Sequence, residues 1–360
     1  MSNEKWAMLC LSPNKGGLEM VSVDTVKNIK KFAYAISLEN SWISNELQGK
    51  ASSLGVSRPL FRFFPIILAF KISNWVIRNN ITLLHLHWTK DLPLGVLIKK
   101  IVHNRGYSFK LIVSRHMGIS HSKKDVSHKW LYAAVDSYIC VCDFVYKQAL
   151  QRLPISPENI HINYPGVSEI IKEEEFPFLL DENVTNFIVL GRIEDAKGQH
   201  LMLKAISELA NESIHCYFVG DAMDDEYLDE LKNLAVKLHI VDKITFCGFV
   251  SNPTRYLHYF DALVLTTYCE TFGLVLIEGM QAGIMVIGSN SGGVQEIIDH
   301  KRSGLLFETM NFSDLACQLR WLLDNPAEAS DMILAGHEKV EQLFNKKTNY
   351  RQLECILGEC

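Results

Sequence analysis

No apolar run in this 360-residue chain is long enough to cross a membrane. The longest lies near Phe63 to Phe70; it is interrupted by Pro65 and stopped by Lys71, whereas a spanning helix needs about 20 apolar residues. The first ten residues lack the extended apolar core of a secretion signal. The nine cysteines contain no C-x-x-C pair. They are odd in number and fall mostly in apolar, strand-like segments (Cys10, Cys140, Cys142, Cys216, Cys247). That pattern argues against disulfides or a zinc site and fits reduced, buried thiols in a cytosolic protein. Disorder is excluded by a hydrophobic content of 48%.

Neither half of the chain has balanced charge. Residues 1–165 carry 21 Lys and Arg against 10 Asp and Glu, a balance of +11; the remainder carries 15 against 31, a balance of −16. A reversal of sign at mid-chain implies two parts with different tasks, and the length suits two domains.

Both halves alternate strand-like and helix-like segments. In the first, strands are predicted at Trp6–Ser12, Thr82–His87, Lys110–Ser114, Ser137–Val141 and Asn159–Asn163. Helices are predicted at Glu19–Ile36, Phe63–Arg78, Leu92–Asn104, Val126–Val135 and Phe144–Arg152. Residues 39–59, polar and with two glycines, give no clear pattern. After Pro165-Gly166 comes a charged, linker-like stretch, Lys172-Glu173-Glu174-Glu175 and Pro177. Alternation then resumes with strands at Phe187–Leu190, His215–Val219, Lys243–Cys247, Ala262–Thr266, Ile284–Gly288 and Gly304–Phe307. The expected fold class is α/β, with two doubly wound Rossmann-like domains facing a ligand cleft. The expected bounds are 1–168, a linker at 169–185, and 186–344, with a final helix at about 345–360 packing back on the first domain.

The most informative segment is Cys269 to Gly293. Glu270 and Glu278 bracket seven residues, and the turn Thr271-Phe272-Gly273-Leu274 leads from a strand into the helix that carries Glu278. Strand ends that meet helix N-termini favour anions. Carboxylates two helical turns apart can accept hydrogen bonds from the hydroxyls of a sugar and a ribose. Upstream, Gly191-Arg192-Ile193-Glu194-Asp195-Ala196-Lys197-Gly198 also joins a strand to a helix. Arg192 offers a planar fork of donors to phosphate oxygens, and Lys197 a point charge.

Both strings resemble motifs of the retaining, nucleotide-sugar-dependent glycosyltransferases of family 4: E-x7-E at Glu270–Glu278 and G-R-x-x-x-x-K-G at Gly191–Gly198, about 70 residues apart. The resemblance implies the GT-B fold. It further implies that Glu278 binds the ribose, Glu270 the transferred sugar, and Arg192 and Lys197 the diphosphate, with the Thr271–Leu274 backbone over sugar and phosphate. From the first half it implies that the Gly16-Gly17 loop faces the diphosphate and that His116 lies at the reacting centre, although Met117 departs from the acid often found there. Phe249, beyond a strand end, falls where the family contacts the base.

Several groups stay open on the residues alone. His85 and His87 share a strand face, as a metal pair or, better favoured, as a packed, hydrogen-bonded pair. Ser291-Gly292-Gly293 reads as mainly architectural. Phe61, Phe63, Phe64 and Trp75, interleaved with Arg58, Arg62 and Lys71, form an amphipathic-looking stretch.

The implied activity is transfer of a hexose-type sugar from a nucleoside-diphosphate donor to a hydroxyl of a glycan or lipid-linked acceptor, with retention. Bacterial lipopolysaccharide or surface-polysaccharide synthesis at the inner face of the membrane is the implied setting. No protein nucleophile is evident, so front-face attack by the acceptor hydroxyl is the default. No D-x-D follows a strand in the first half, and neither a metal, a cofactor nor a nucleic-acid partner is expected. A nucleotide-sugar epimerase or phosphorylase on the same fold, or a donor-binding protein without turnover, is the alternative.

Overall fold

The computed structural model describes residues 4–58, 65–173, 175–181 and 183–359. The chain forms two units, one of residues 1–166 with 346–360 and the other of residues 167–345.

In the first unit, seven parallel strands form one sheet: β1 (Lys5–Cys10), β2 (Phe32–Leu38), β3 (Ser52–Val56), β4 (Ile81–Leu86), β5 (Lys110–Arg115), β6 (Ser137–Cys140) and β7 (Ile160–Ile162). Their order is β3-β2-β1-β4-β5-β6-β7. Chain direction across the sheet therefore reverses between β1 and β4, where ligands of such sheets gather at the carboxyl ends. Central strands are largely apolar because helices cover both faces; Trp6, Met8 and Cys10 of β1 are buried with Val23, Phe32, Leu83, Ile112 and Ile139. The last helix, Lys346–Glu359, belongs to this unit. It buries Leu353 and Leu357 in the same core, pairs Lys346 with Asp24 at 2.6 Å, and donates from Asn349 to the Tyr164 carbonyl at 3.0 Å.

The second unit holds six parallel strands: β8 (Thr185–Leu190), β9 (Ile214–Val219), β10 (Ile244–Gly248), β11 (Ala262–Leu265), β12 (Met285–Ser289) and β13 (Leu305–Phe307). Their order is β10-β9-β8-β11-β12-β13, with the reversal between β8 and β11. Phe187, Phe218, Val264, Ile287 and Phe307 anchor its core. The charged stretch at mid-chain is not a free tether. Glu173 pairs with Arg255, and its carbonyl accepts from the Tyr259 hydroxyl at 3.2 Å. Phe176 nests among Tyr217, Tyr256, Tyr259 and Phe260.

Two sequence expectations change. The helix read as Glu19–Ile36 ends at Asn28, and Phe32–Leu38 is β2. A short apolar run buried on both sides has no period that separates strand from helix. Residues 39–59 contain the helix Trp42–Glu46 and the edge strand β3. The helix predicted at Phe63–Arg78 is described from Ile66 to Arg78, while Phe61, Arg62, Phe63 and Phe64 lie outside the described residues.

Candidate active site

At the reversal point of the second unit, the loops after β8 and β11 are tied together. Lys197, in the β8 loop, places its ammonium 2.9 Å from the Glu270 carboxylate. The Thr266 hydroxyl donates to the Lys197 carbonyl at 2.7 Å. Gly198 then caps the helix Gln199–Glu208 with φ +68, and a Cβ there would lie 2.4 Å from the Thr266 carbonyl oxygen. Only glycine permits both that backbone conformation and that approach.

The Glu270–Thr271 backbone is fixed from beneath by the turn after β12. Gly293 N–H donates to the Glu270 carbonyl at 3.0 Å. Added Cβ atoms on Gly292 and Gly293 would reach 1.9 Å from the Glu270 carbonyl oxygen and 2.2 Å from that of Thr271. Phe272 turns inward, 5% exposed and edge-on to Phe344. Gly273, with φ +99, caps the helix Leu274–Ala282, on which Glu278 is half-buried.

Arg192 is exposed and pairs with Glu194 at 2.9 Å rather than with Glu270. Phe249 is 62% exposed just past β10. Three residues passed over in the sequence brace this site. His200 lies 3.1 Å from the hydroxyls of both Tyr227 and Tyr268, and burial with nearby Lys204 holds its pKa down. Tyr268 N–H also reaches the Ala196 carbonyl. Their signal was position alone: Tyr268 lies two residues before Glu270 and His200 is the second residue of the helix after Gly198.

In the first unit, Gly16 caps the helix Gly17–Asn28 with extended backbone, φ −163. Its glycine identity reflects space, because a Cβ would press on the Glu19 carboxylate at 3.2 Å. That buried carboxylate accepts from the Ser12 hydroxyl, so the chain's own anion attends this helix N-terminus. His116 stands just beyond β5, half-buried. Burial, aided by Arg115, lowers its pKa to about 3. His85 of β4 and His87, just past its end, do not bond to each other. His85 bonds the Ser114 hydroxyl at 2.7 Å, and His87 bonds His116 at 3.1 Å. Among the described residues no group of three or more His, Cys, Asp or Glu side chains is placed to hold a metal ion.

The glycosyl transferases group 1 family matches residues 161–339, and the glycosyltransferase family 4 matches residues 41–169. Bacillus anthracis N-acetyl-alpha-D-glucosaminyl L-malate synthase is 30% identical over 322 residues, 81% of this chain and 78% of that protein. The chain belongs to the group 1, family 4 glycosyltransferases. Rhizobium meliloti lipopolysaccharide core biosynthesis glycosyltransferase LpsD is 28% identical over 158 residues, 44% of this chain and 45% of its own. A Rickettsia africae glycosyltransferase superposes with TM-score 0.90 at 20% identity, covering 100% of this chain and 99% of that one. Anabaena HepE, solved with UDP-glucose, superposes with TM-score 0.84 at 19% identity, covering 99% and 100%. The fold is therefore GT-B, and the protein is a retaining glycosyltransferase that uses a nucleotide-sugar donor.

No helix among the described residues is long and apolar enough to cross a membrane. Some of the positive charge in the first unit is matched locally: Lys27 by Glu46, Lys31 by Glu4 and Glu354, and Lys99 by Asp136. On the helix Ile66–Arg78, Trp75 packs edge-on to Tyr34, while Ile66, Ile67 and Phe70 are exposed beside Lys71.

Proposed function

We propose that this glycosyltransferase moves a hexose from a nucleoside-diphosphate sugar to a hydroxyl of a glycan or lipid-linked acceptor in bacterial surface-polysaccharide synthesis. Residues 186–344 form the donor-binding domain and residues 1–168 the acceptor domain. The observation that carries the reading is the Lys197–Glu270 pair at the reversal point of the second sheet, the place where such sheets take nucleotides. Lys197 and Arg192 receive the diphosphate, Glu270 and the Thr271–Leu274 backbone the sugar, Glu278 the ribose, and Phe249 the base. Gly16, Gly17 and His116 complete the set from the first domain.

The chemistry breaks the bond between anomeric carbon and phosphate oxygen and forms one from the acceptor oxygen to the same face of that carbon. The acceptor proton leaves with the departing diphosphate. Negative charge grows on the leaving group, where fixed cations lower the barrier most. The name of the HepE complex supports UDP-glucose as a first donor to test. The LpsD likeness and the basic first half support an anionic, lipopolysaccharide-type acceptor at the cytoplasmic face of a membrane. The exposed Ile66, Ile67 and Phe70 give that domain an apolar edge for the lipid surface.

Calorimetry with UDP and UDP-glucose tests the donor site. Lys197→Ala is expected to weaken both and to lower turnover about a hundredfold, since a lost donor to a developing charge costs about 3 kcal/mol. Wild-type affinity and turnover in that variant would rule out the phosphate role.

A further inference from the structure

β4 and β5 are parallel neighbours in register, Leu86 beside Val113. Their carboxyl ends therefore bring His87 and His116 side by side. His87 Nδ1 lies 3.1 Å from His116 Nε2. The ring planes are inclined by 16° with centroids 5.3 Å apart, the separation left by one N–H···N bond between ring edges rather than by face-to-face contact. Both rings are held neutral, chiefly by burial. One proton therefore serves the bond, and it sits on one of two rings.

The other nitrogen of His87 decides which. His87 is 1% exposed, and its Nε2 is buried with no hydrogen-bond partner. If His116 donated, the neutral His87 would carry its proton on Nε2, leaving a buried N–H with no protein acceptor within hydrogen-bond reach. Orphaned buried N–H groups are rare, and a buried donor left unsatisfied costs about 1–3 kcal/mol. If His87 donates from Nδ1, only a lone pair is left facing the cavity that His87 lines with Asn163, Tyr164 and Tyr350.

We propose that His87 is a positioning residue that donates to His116 Nε2 and so fixes His116 as the Nδ1–H tautomer, presenting a donor rather than an acceptor to the transferred sugar. This rests on the reading that His116 meets that sugar. A second-layer partner setting the tautomer of a working histidine is how one ring nitrogen is committed to a task.

The test is long-range ¹H–¹⁵N NMR of the full chain labelled in histidine, with the His116 signals assigned by their loss in His116→Gln. The expected spectrum shows His116 protonated on Nδ1 and bare on Nε2; protonated Nε2 overturns the proposal without any variant at His87. His87→Phe is expected to release His116 toward the Nε2–H form that free histidine prefers in water. It should also lower kcat about tenfold to a hundredfold with donor KM within about twofold. His87→Asn, whose amide nitrogen can stand in for Nδ1, is expected to restore both. Full turnover in His116→Gln sinks the reading beneath the proposal and leaves the tautomer assignment standing. Full turnover in His87→Phe alone overturns the positioning role.

Discussion

Gly292→Ala isolates what holds the loop that carries Glu270. Gly292 sits at φ +58, and a Cβ there would lie 1.9 Å from the Glu270 carbonyl oxygen. Real Cβ atoms come no closer than 3.0 Å, so the loop must yield by about 1 Å. The shift carries with it the carboxylate that lies 2.9 Å from Lys197. Misplacing a reacting group by about 1 Å costs on the order of a hundredfold in rate. The left-handed backbone adds a separate cost of about 1–2 kcal/mol for any residue with a Cβ. Gly283→Ala supplies the control. Its φ is +76 and its added Cβ meets nothing within 4 Å, so it carries the backbone cost without the collision. The expected outcome is that both variants melt earlier by several degrees, at about 2–4 °C per kcal/mol for a domain of this size. Only Gly292→Ala should lose about two orders of magnitude in kcat/KM. Steady-state kinetics and thermal melts measure the two effects side by side. Equal kinetics in the two variants would refute the claim that this turn sets the position of Glu270.

The two motif carboxylates are expected to separate in calorimetry. Glu278→Gln should weaken both free nucleoside diphosphate and whole donor, whereas Glu270→Gln should spare the free diphosphate and weaken only the donor; identical losses would contradict the assignment. Acid should destabilise the fold. His85 and His116 are held at about 3 and His87 well below its ordinary value, chiefly because burial disfavours the charged ring. The unfolded chain protonates near pH 6.5 while the folded chain does not, so stability falls from about pH 6.5 down to about pH 3. Urea titrations across that window are expected to show proton uptake on unfolding, smaller by about one proton in His85→Gln; an unchanged slope would refute the source. Sedimentation with vesicles should show binding to anionic but not neutral lipid, weakening as salt shortens the Debye length from about 10 Å. Ile67→Glu should abolish it, and indifference of the wild type to lipid charge would end the membrane reading.

The sequence alone determined the alternation of strand and helix, because apolar runs bounded by turns need no partner to be recognised. It also marked Gly191–Gly198 and the turn after Glu270 as strand-to-helix connections, since those residue types and spacings are local. What it left undecided depended on neighbours distant in the chain. β2 continues an apolar run into a strand only because β1 and β3 flank it. β3, a polar Ser52–Val56, is a strand only by pairing with β2. Lys197 and Glu270 lie 73 residues apart, and their pairing arises because β8 and β11 are neighbours at the reversal of strand order. The partner of His87 followed the same logic: alternation placed His85 and His87 on one face, but β5 beside β4 decided that His87 bonds to His116. Periodicity is a property of one segment, whereas a hydrogen bond between strand ends is a property of sheet order, and only the tertiary structure sets that order.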